Sequence, residues 1–311
     1  MNPLLVVLIA AQAQSWQISV DSLAQNGEFS GVVLVARNGV PQFERAYGMA
    51  DREALRANDL ETAFNLGSIN KFFTAISIRQ LAAAGKLALD STLARAWPDY
   101  PNPDVARRVT IRQILDHRSG IQGDIFAAPP GKTRHDLLTL TDYFQLVKDQ
   151  PLAFEPGSRR QYSNAGYIVL GLLVERLSGD SYYGYVQKHI FEPAGMTRTA
   201  SWRFDSLPPN TAIGYTSEGR NTERLPGRGS SAGGGYSTAH DLLRLLNALR
   251  AHKIDDAPDA GMIGVAGGAP GINAVLEGDL AGGYDVIVLG NLSPPAAERV
   301  SRLIRGALRA N

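Results

Sequence analysis

Apolar positions change their spacing along this chain. Strand-like runs come first, helical periods fill the middle, and strand-like runs return near the end. Phe29 to Arg37 (FSGVVLVAR) is apolar and β-branched, which predicts a largely buried strand. Asn38-Gly39 is a hairpin turn signal, and Val40 to Gly48 alternates like the returning strand. Before them, Val20 to Asn26 reads as the end of an amphipathic helix. Met262 to Gly271, Ile272 to Glu277 and Tyr284 to Gly290 are three further strands, and Ala296 to Leu308 a final amphipathic helix.

Between these ends the period is helical. Phe72 to Ala84 is apolar on every side and predicts a central buried helix, stopped at Gly85. Val109 to His117 opens on a capping Thr110 and carries Ile111, Ile114 and Leu115 at helical spacing. Asp142 to Lys148 begins another helix. A Pro-Gly turn then leads through Tyr162-Ser163-Asn164 into a helix with Tyr167, Leu170, Val174 and Leu177 on its inner side. Tyr182 to Phe191 and Ala239 to His252 are helical, whereas Trp202 to Arg228 is polar, rich in Pro and Gly, and irregular. Ser231 to Thr238 (SAGGGYST) reads as a glycine-rich turn. Strands at both ends with helices between predict an α+β fold. One antiparallel sheet is shared by residues 14–64 and 230–311, with a mainly helical part over 65–229.

Composition narrows the function classes. The 311 residues are 44% hydrophobic and 20% charged, the balance of a globular protein. Thirty-one basic residues against thirty acidic ones leave no net charge to attract nucleic acid or an anionic membrane. The expected partner is therefore a small molecule or a weakly charged polymer. With no cysteine there is no thiol nucleophile, disulfide or thiolate-bound metal. The five histidines lack His-x-x-x-His spacing and clustered acids, so no metal or other cofactor is expected. Leu4 to Ala11 is too short to span a bilayer, and Ala11-Gln12-Ala13 has the form of a signal-peptidase site. Residues 1–13 are thus expected to be an export signal, despite having no Lys or Arg before the apolar run, leaving 14–311 as the mature periplasmic or secreted domain.

Candidate chemistry centres on Gly67 to Ala75 (GSINKFFTA). Ser68 and Lys71, three residues apart at a helix start, share one face, so an amine can act as base to a hydroxyl. Alone the pair is common by chance. His117 is open to a base role, but a helix-end histidine satisfied by backbone is the preferred reading. Tyr162 and Asn164, two apart in extended chain, point the same way.

The segments FNLGSINKFFTA, VTIRQILDHRSGI, FEPGSRRQYSNAGYIVLGLLVERLSG, SAGGGYSTAHDLL and GGAPGINAVLE, in this order, resemble the serine β-lactamase-like superfamily: class C β-lactamases, D-alanyl-D-alanine peptidases and related carboxylesterases. The resemblance covers nearly all of the chain after residue 30 and implies a β-lactamase/transpeptidase-like fold. It makes Ser68 the nucleophile of an acyl-enzyme, Lys71 its general base, Tyr162 an alternative base and later proton donor, and Asn164 a residue that positions Lys71 and substrate. The oxyanion hole would be the N–H groups of Ser68 and Gly268, with Val265 and Gly267 beside the substrate.

Two departures shape the functional expectation. Where relatives carry Lys-Thr-Gly or His-x-Gly, this chain has Val265-Ala266-Gly267-Gly268, so a side chain that helps hold a substrate carboxylate is lost. Such a charge-assisted hydrogen bond is usually worth roughly 1.5–3 kcal/mol. The segment from Lys253 to Gly261 is also much shorter than in relatives. The first favours an exported serine hydrolase acting on carboxylic esters or related acyl compounds, whereas the second implies a cleft more open on that side or an impaired site. The alternatives are a cell-wall D-Ala-D-Ala peptidase or β-lactamase and, in another class, a non-catalytic binder of penicillins or muropeptides.

Overall fold

The computed structural model describes residues 16–254 and 261–309. Its centre is a five-stranded antiparallel sheet drawn from the two ends of the described chain. The main elements are helix α1 (16–25), strands β1 (Gly31–Arg37) and β2 (Val40–Tyr47), and helices α2 (Asn70–Ala83), α3 (Asn164–Ser178) and α4 (Ala239–Arg250). Strands β3 (Met262–Ala269), β4 (Ile272–Asp279) and β5 (Tyr284–Gly290) and helix α5 (Ala296–Arg309) follow. The spatial strand order is β2-β1-β5-β4-β3, with Gly31 opposite Gly290 and Asn273 opposite Gly268.

Alternation along the strands sorts their side chains to two cores. Val33, Val35, Val286 and Val288 face Trp16 and Val20 of α1 and Val300 and Ile304 of α5. Leu34, Leu276, Ile287 and Leu289 face the larger core, which α2, α3 and α4 complete. Each fully buried Val, Leu or Ile side chain contributes roughly 1.5–3 kcal/mol, so both layers hold the sheet.

Helix α2 is buried from Asn70 to Ile78 without a break, and its polar side chains are bonded internally. Thr74 Oγ1 donates to the Ser231 carbonyl at 2.7 Å and Ser77 Oγ to that of Phe73 at 2.9 Å. The helix stops before Gly85, whose φ of +70° leaves the helical region.

Several boundaries differ from expectation for local reasons. The helix expected from Asp142 begins at Leu140. Asp142 is the third residue of a capping box, its carboxylate accepting the Thr139 N–H at 2.8 Å. The strand expected to reach Gly271 ends at Ala269, because Pro270 lacks a donor and Gly271 turns the chain at φ +72°. The Ser231–Thr238 segment is more than a turn, since Tyr236–Ser237 pairs antiparallel with Phe64–Asn65. Residues 1–13 and 255–260, which hold the expected export signal and most of the shortened segment, lie outside the described residues. Among the described residues no helix is long and apolar enough to cross a membrane.

Candidate active site

Ser68 lies in a 3-10 turn, Gly67–Ile69, directly before α2. In a 3-10 turn side chains three apart eclipse, which aligns Ser68 with Lys71. Gly67 has φ +51°, a conformation costly for any residue with a Cβ. A Cβ there would also lie 3.0 Å from Gly268 N. At Gly267 an added Cβ would fall 1.9 Å from the Leu66 carbonyl oxygen and 2.7 Å from Ser68 N. The edge strand β3 thus meets the Ser68 turn backbone to backbone, with glycine on both sides of the contact.

Three side chains converge on Ser68. Tyr162 Oη donates to Ser68 Oγ at 2.7 Å, and Lys71 Nζ lies 3.2 Å from the same oxygen. Lys71 also donates to Asn164 Oδ1 at 2.7 Å and, by a very short bond, to the Ala232 carbonyl. Asn164 is the first residue of α3, where the Ser163 hydroxyl caps the helix by accepting the Gly166 N–H at 2.9 Å. The carbonyl of Ala232 comes from the glycine-rich segment, held because Leu66 N–H donates to the Gly235 carbonyl at 2.7 Å and Gly234 N–H to that of Gly67 at 3.1 Å.

Lys71 is 6% exposed and all three of its partners are uncharged. Burial without a counter-charge disfavours the ammonium and pulls Lys71 down to about 7. Once neutral, the amine has two hydrogens for Asn164 and Ala232, leaving its lone pair for the Ser68 hydroxyl proton. Burial pushes Tyr162 up, opposed by its bond to Ser68, so it stays protonated at neutral pH and acts as a donor.

His117 stands behind Tyr162. It is 7% exposed, has φ +59°, and stacks its ring on those of Tyr162 and Tyr167 at 4.5 and 5.1 Å. Burial, with the charges of Lys71 and Arg160, holds His117 down to about 4. Backbone contacts do satisfy this helix-end histidine, as the sequence suggested, but they are the contacts that fix the Tyr162 segment.

A cavity of about 420 Å³ opens over Ser68 and is lined by Asn164 and Gly268 as well. Val265 and Gly267, expected beside the substrate, do not line it. The half-buried Val265 packs on the main core, and Gly268, Ala269 and Pro270 form that wall. Asn273, fully buried on β4, donates from Nδ2 to the Gly267 carbonyl at 3.2 Å and accepts the Ala297 N–H of α5 at 2.6 Å. Neither Asn273 nor the cavity residue Arg134 stood out in the sequence. Long-range packing gives them their neighbours, and no local motif marks them. Among the described residues no group of three or more His, Asp or Glu side chains is placed to hold a metal.

An antiparallel sheet drawn from both ends of the chain, with a serine and a lysine where it meets the central helix, defines a β-lactamase/transpeptidase-like protein. The sequence model of the beta-lactamase family matches residues 17–286, and the chain belongs to that family of serine hydrolases. It is 32% identical to esterase EstB of Burkholderia gladioli over 262 residues, covering 71% of this chain and 65% of the relative. To penicillin-binding protein 4 of Amycolatopsis lactamdurans it is 30% identical over 282 residues, 87% of this chain and 71% of that one. A crystal structure of a penicillin-binding protein from Bacillus halodurans superposes with a TM-score of 0.81 at 30% identity, covering 92% of this chain and 98% of that one. The chain spans only 55% and 40% of two Bacillus subtilis (strain 168) relatives, about half the length of such proteins.

Proposed function

We propose that this protein hydrolyses carboxylic esters, or closely related acyl compounds, through an acyl-enzyme on Ser68. The observation that carries the reading is the placement of one hydroxyl between a desolvated amine at 3.2 Å and a phenol at 2.7 Å, inside a cavity. Neutral Lys71 takes the Ser68 proton as Oγ attacks the acyl carbon. The oxyanion that forms is met by the N–H groups of Ser68 and Gly268. The leaving oxygen takes a proton from Tyr162, the proton held by Lys71 restores it, and water then releases the acid. Losing one oxyanion donor typically costs about 100- to 1000-fold in rate.

Support for ester substrates comes from Val265, which leaves the sheet edge without the cation that relatives place there, and from similarity to an esterase. Export to the periplasm or outside the cell is proposed on residues 1–13 alone. Short p-nitrophenyl esters are expected to be hydrolysed by the wild type and not by Ser68→Ala. Equal rates would overturn the proposal. Nitrocefin turnover exceeding ester turnover would move the assignment to a β-lactamase, and tight ligand binding with no Ser68 adduct by intact mass would make the protein a receptor.

A further inference from the structure

Arg134 reaches the cavity wall from a 3-10 turn, Arg134–Asp136, remote in sequence from Ser68, and its backbone is firmly anchored. Gly227 N–H donates to the Arg134 carbonyl at 3.1 Å, and Arg228 N–H to that of Leu137 at 2.9 Å. A Cβ on Gly227 would lie 2.0 Å from the His135 carbonyl oxygen, so the two segments pack without a gap.

Among the described residues, the charged ones lining the cavity are Arg134 and Arg224, and no Asp or Glu lines it. Arg224 is already engaged, donating to Glu218 in a very short ion pair. Arg134 is not so engaged. Its Nη1 donates to a neutral acceptor, the Arg224 carbonyl, at a long 3.4 Å. The wall around it is largely apolar, with Ile125, Phe126, Trp202 and Phe204 among the lining residues. A guanidinium offers a planar fork that matches a carboxylate, and it does so best where apolar walls limit competing water.

We propose that Arg134 is the specificity determinant of this cavity and binds an anionic group, foremost a carboxylate, carried by the acyl substrate away from the bond being broken. Strand β3 offers no cation at Val265, so that task falls to Arg134. The substrate class is then half-esters of dicarboxylic acids and similar acidic esters. This inference rests on the reading of Ser68 as nucleophile, but one arm of its test does not.

Mono-p-nitrophenyl glutarate and p-nitrophenyl valerate differ only in carrying a carboxylate or a methyl at the far end of the acyl chain. The wild type is expected to favour the glutarate in kcat/KM. Arg134→Met is expected to cut that preference about 10- to 100-fold, mainly through KM, and Arg134→Lys to retain part of it. An unchanged preference in Arg134→Met would overturn the proposal. Calorimetry of free glutarate with Ser68→Ala reads the same contact without turnover. Binding that disappears on adding Arg134→Met supports the proposal even if Ser68 proves not to be the nucleophile. Binding that survives the substitution overturns it.

Discussion

The imidazole Nδ1 of His117 accepts the N–H of Ser163 at 3.1 Å, while the His117 carbonyl accepts that of Gln161 at 2.8 Å. One residue therefore holds the backbone on both sides of Tyr162, and its ring lies against the phenol. Accepting through Nδ1 requires the neutral tautomer with its hydrogen on Nε2. His117→Ala is expected to lower kcat by about 10- to 100-fold with a smaller change in KM, because a misplaced donor loses transition-state contacts first. His117→Asn, which can still offer an oxygen to Ser163, should recover part of the loss. Steady-state kinetics of the two variants would check this, and an unchanged kcat in His117→Ala would refute it.

The same histidine gives folding a pH dependence. Its folded value of about 4 lies below the ordinary 6.5. Between those values the unfolded chain binds the proton that the folded protein rejects, so stability falls as pH drops through that window. Above about 6.5 both states are neutral and the contribution is flat. Urea unfolding at pH 4.5 and 7 should show a smaller loss for His117→Gln than for the wild type.

As the proposed base, Lys71 is expected to set the acid limb of activity. With a value of about 7, it is a charged, ineffective base below that pH and a free amine above it. Ester kcat/KM should rise about tenfold per pH unit below 7 and level off above it. Lys71→Arg, whose guanidinium stays protonated, should lose activity at every pH from 6 to 9. A flat wild-type profile between pH 5.5 and 8 would exclude Lys71 as the base.

Asn273 ties the strand beside Ser68 to the start of α5 through one buried amide. Asn273→Ala removes the side-chain donor to the Gly267 carbonyl and leaves the Ala297 N–H without its Asn273 acceptor, and an unsatisfied buried group costs about 1–3 kcal/mol. A lower Tm together with a reduced kcat is expected. Asn273→Asp keeps an acceptor for Ala297 but offers no donor to Gly267, so it should lose kcat more than it loses Tm.

Gly267→Ala should be more damaging than its single methyl suggests. The Cβ would sit 1.9 Å from the Leu66 carbonyl oxygen, and backbone on both sides resists the shift. Strand β3 is expected to move off the Ser68 turn, with at least a 100-fold fall in rate, the scale of one lost oxyanion donor. Gly264→Ala on the same strand, where a Cβ meets nothing within 4 Å, is the control and should behave as wild type.

Much of this architecture is legible from periodicity. The runs at 31–37 and 284–290 are apolar on both faces because each is a central strand between two cores. Helix α2 carries no polar face because its first nine residues are buried. Ser68, Lys71, Tyr162 and Asn164 could be picked out because their spacing and surroundings form motifs, and the structure brings them within hydrogen-bond reach of one another. The pairing of Phe64–Asn65 with Tyr236–Ser237 left no trace, since two residues cannot display a period. Its place in a motif puts Val265 beside the substrate, whereas its neighbours in space are those of the core. Arg134 acquires meaning only from a cavity with no carboxylate among its described lining residues, and a missing carboxylate has no signature in sequence.

The sheet that joins the two ends also sets a timetable. Ser68, Lys71, Tyr162 and Asn164 all leave the ribosome well before the strand that carries Gly268, and β1 must wait for β5 to become a central strand. Pairings so distant in sequence close slowly and late. A nascent chain that already holds Lys71, Tyr162 and Asn164 around Ser68 therefore has no edge strand beside it. It should be catalytically silent until β3 docks on Gly67, so that hydrolysis begins only when folding has ended.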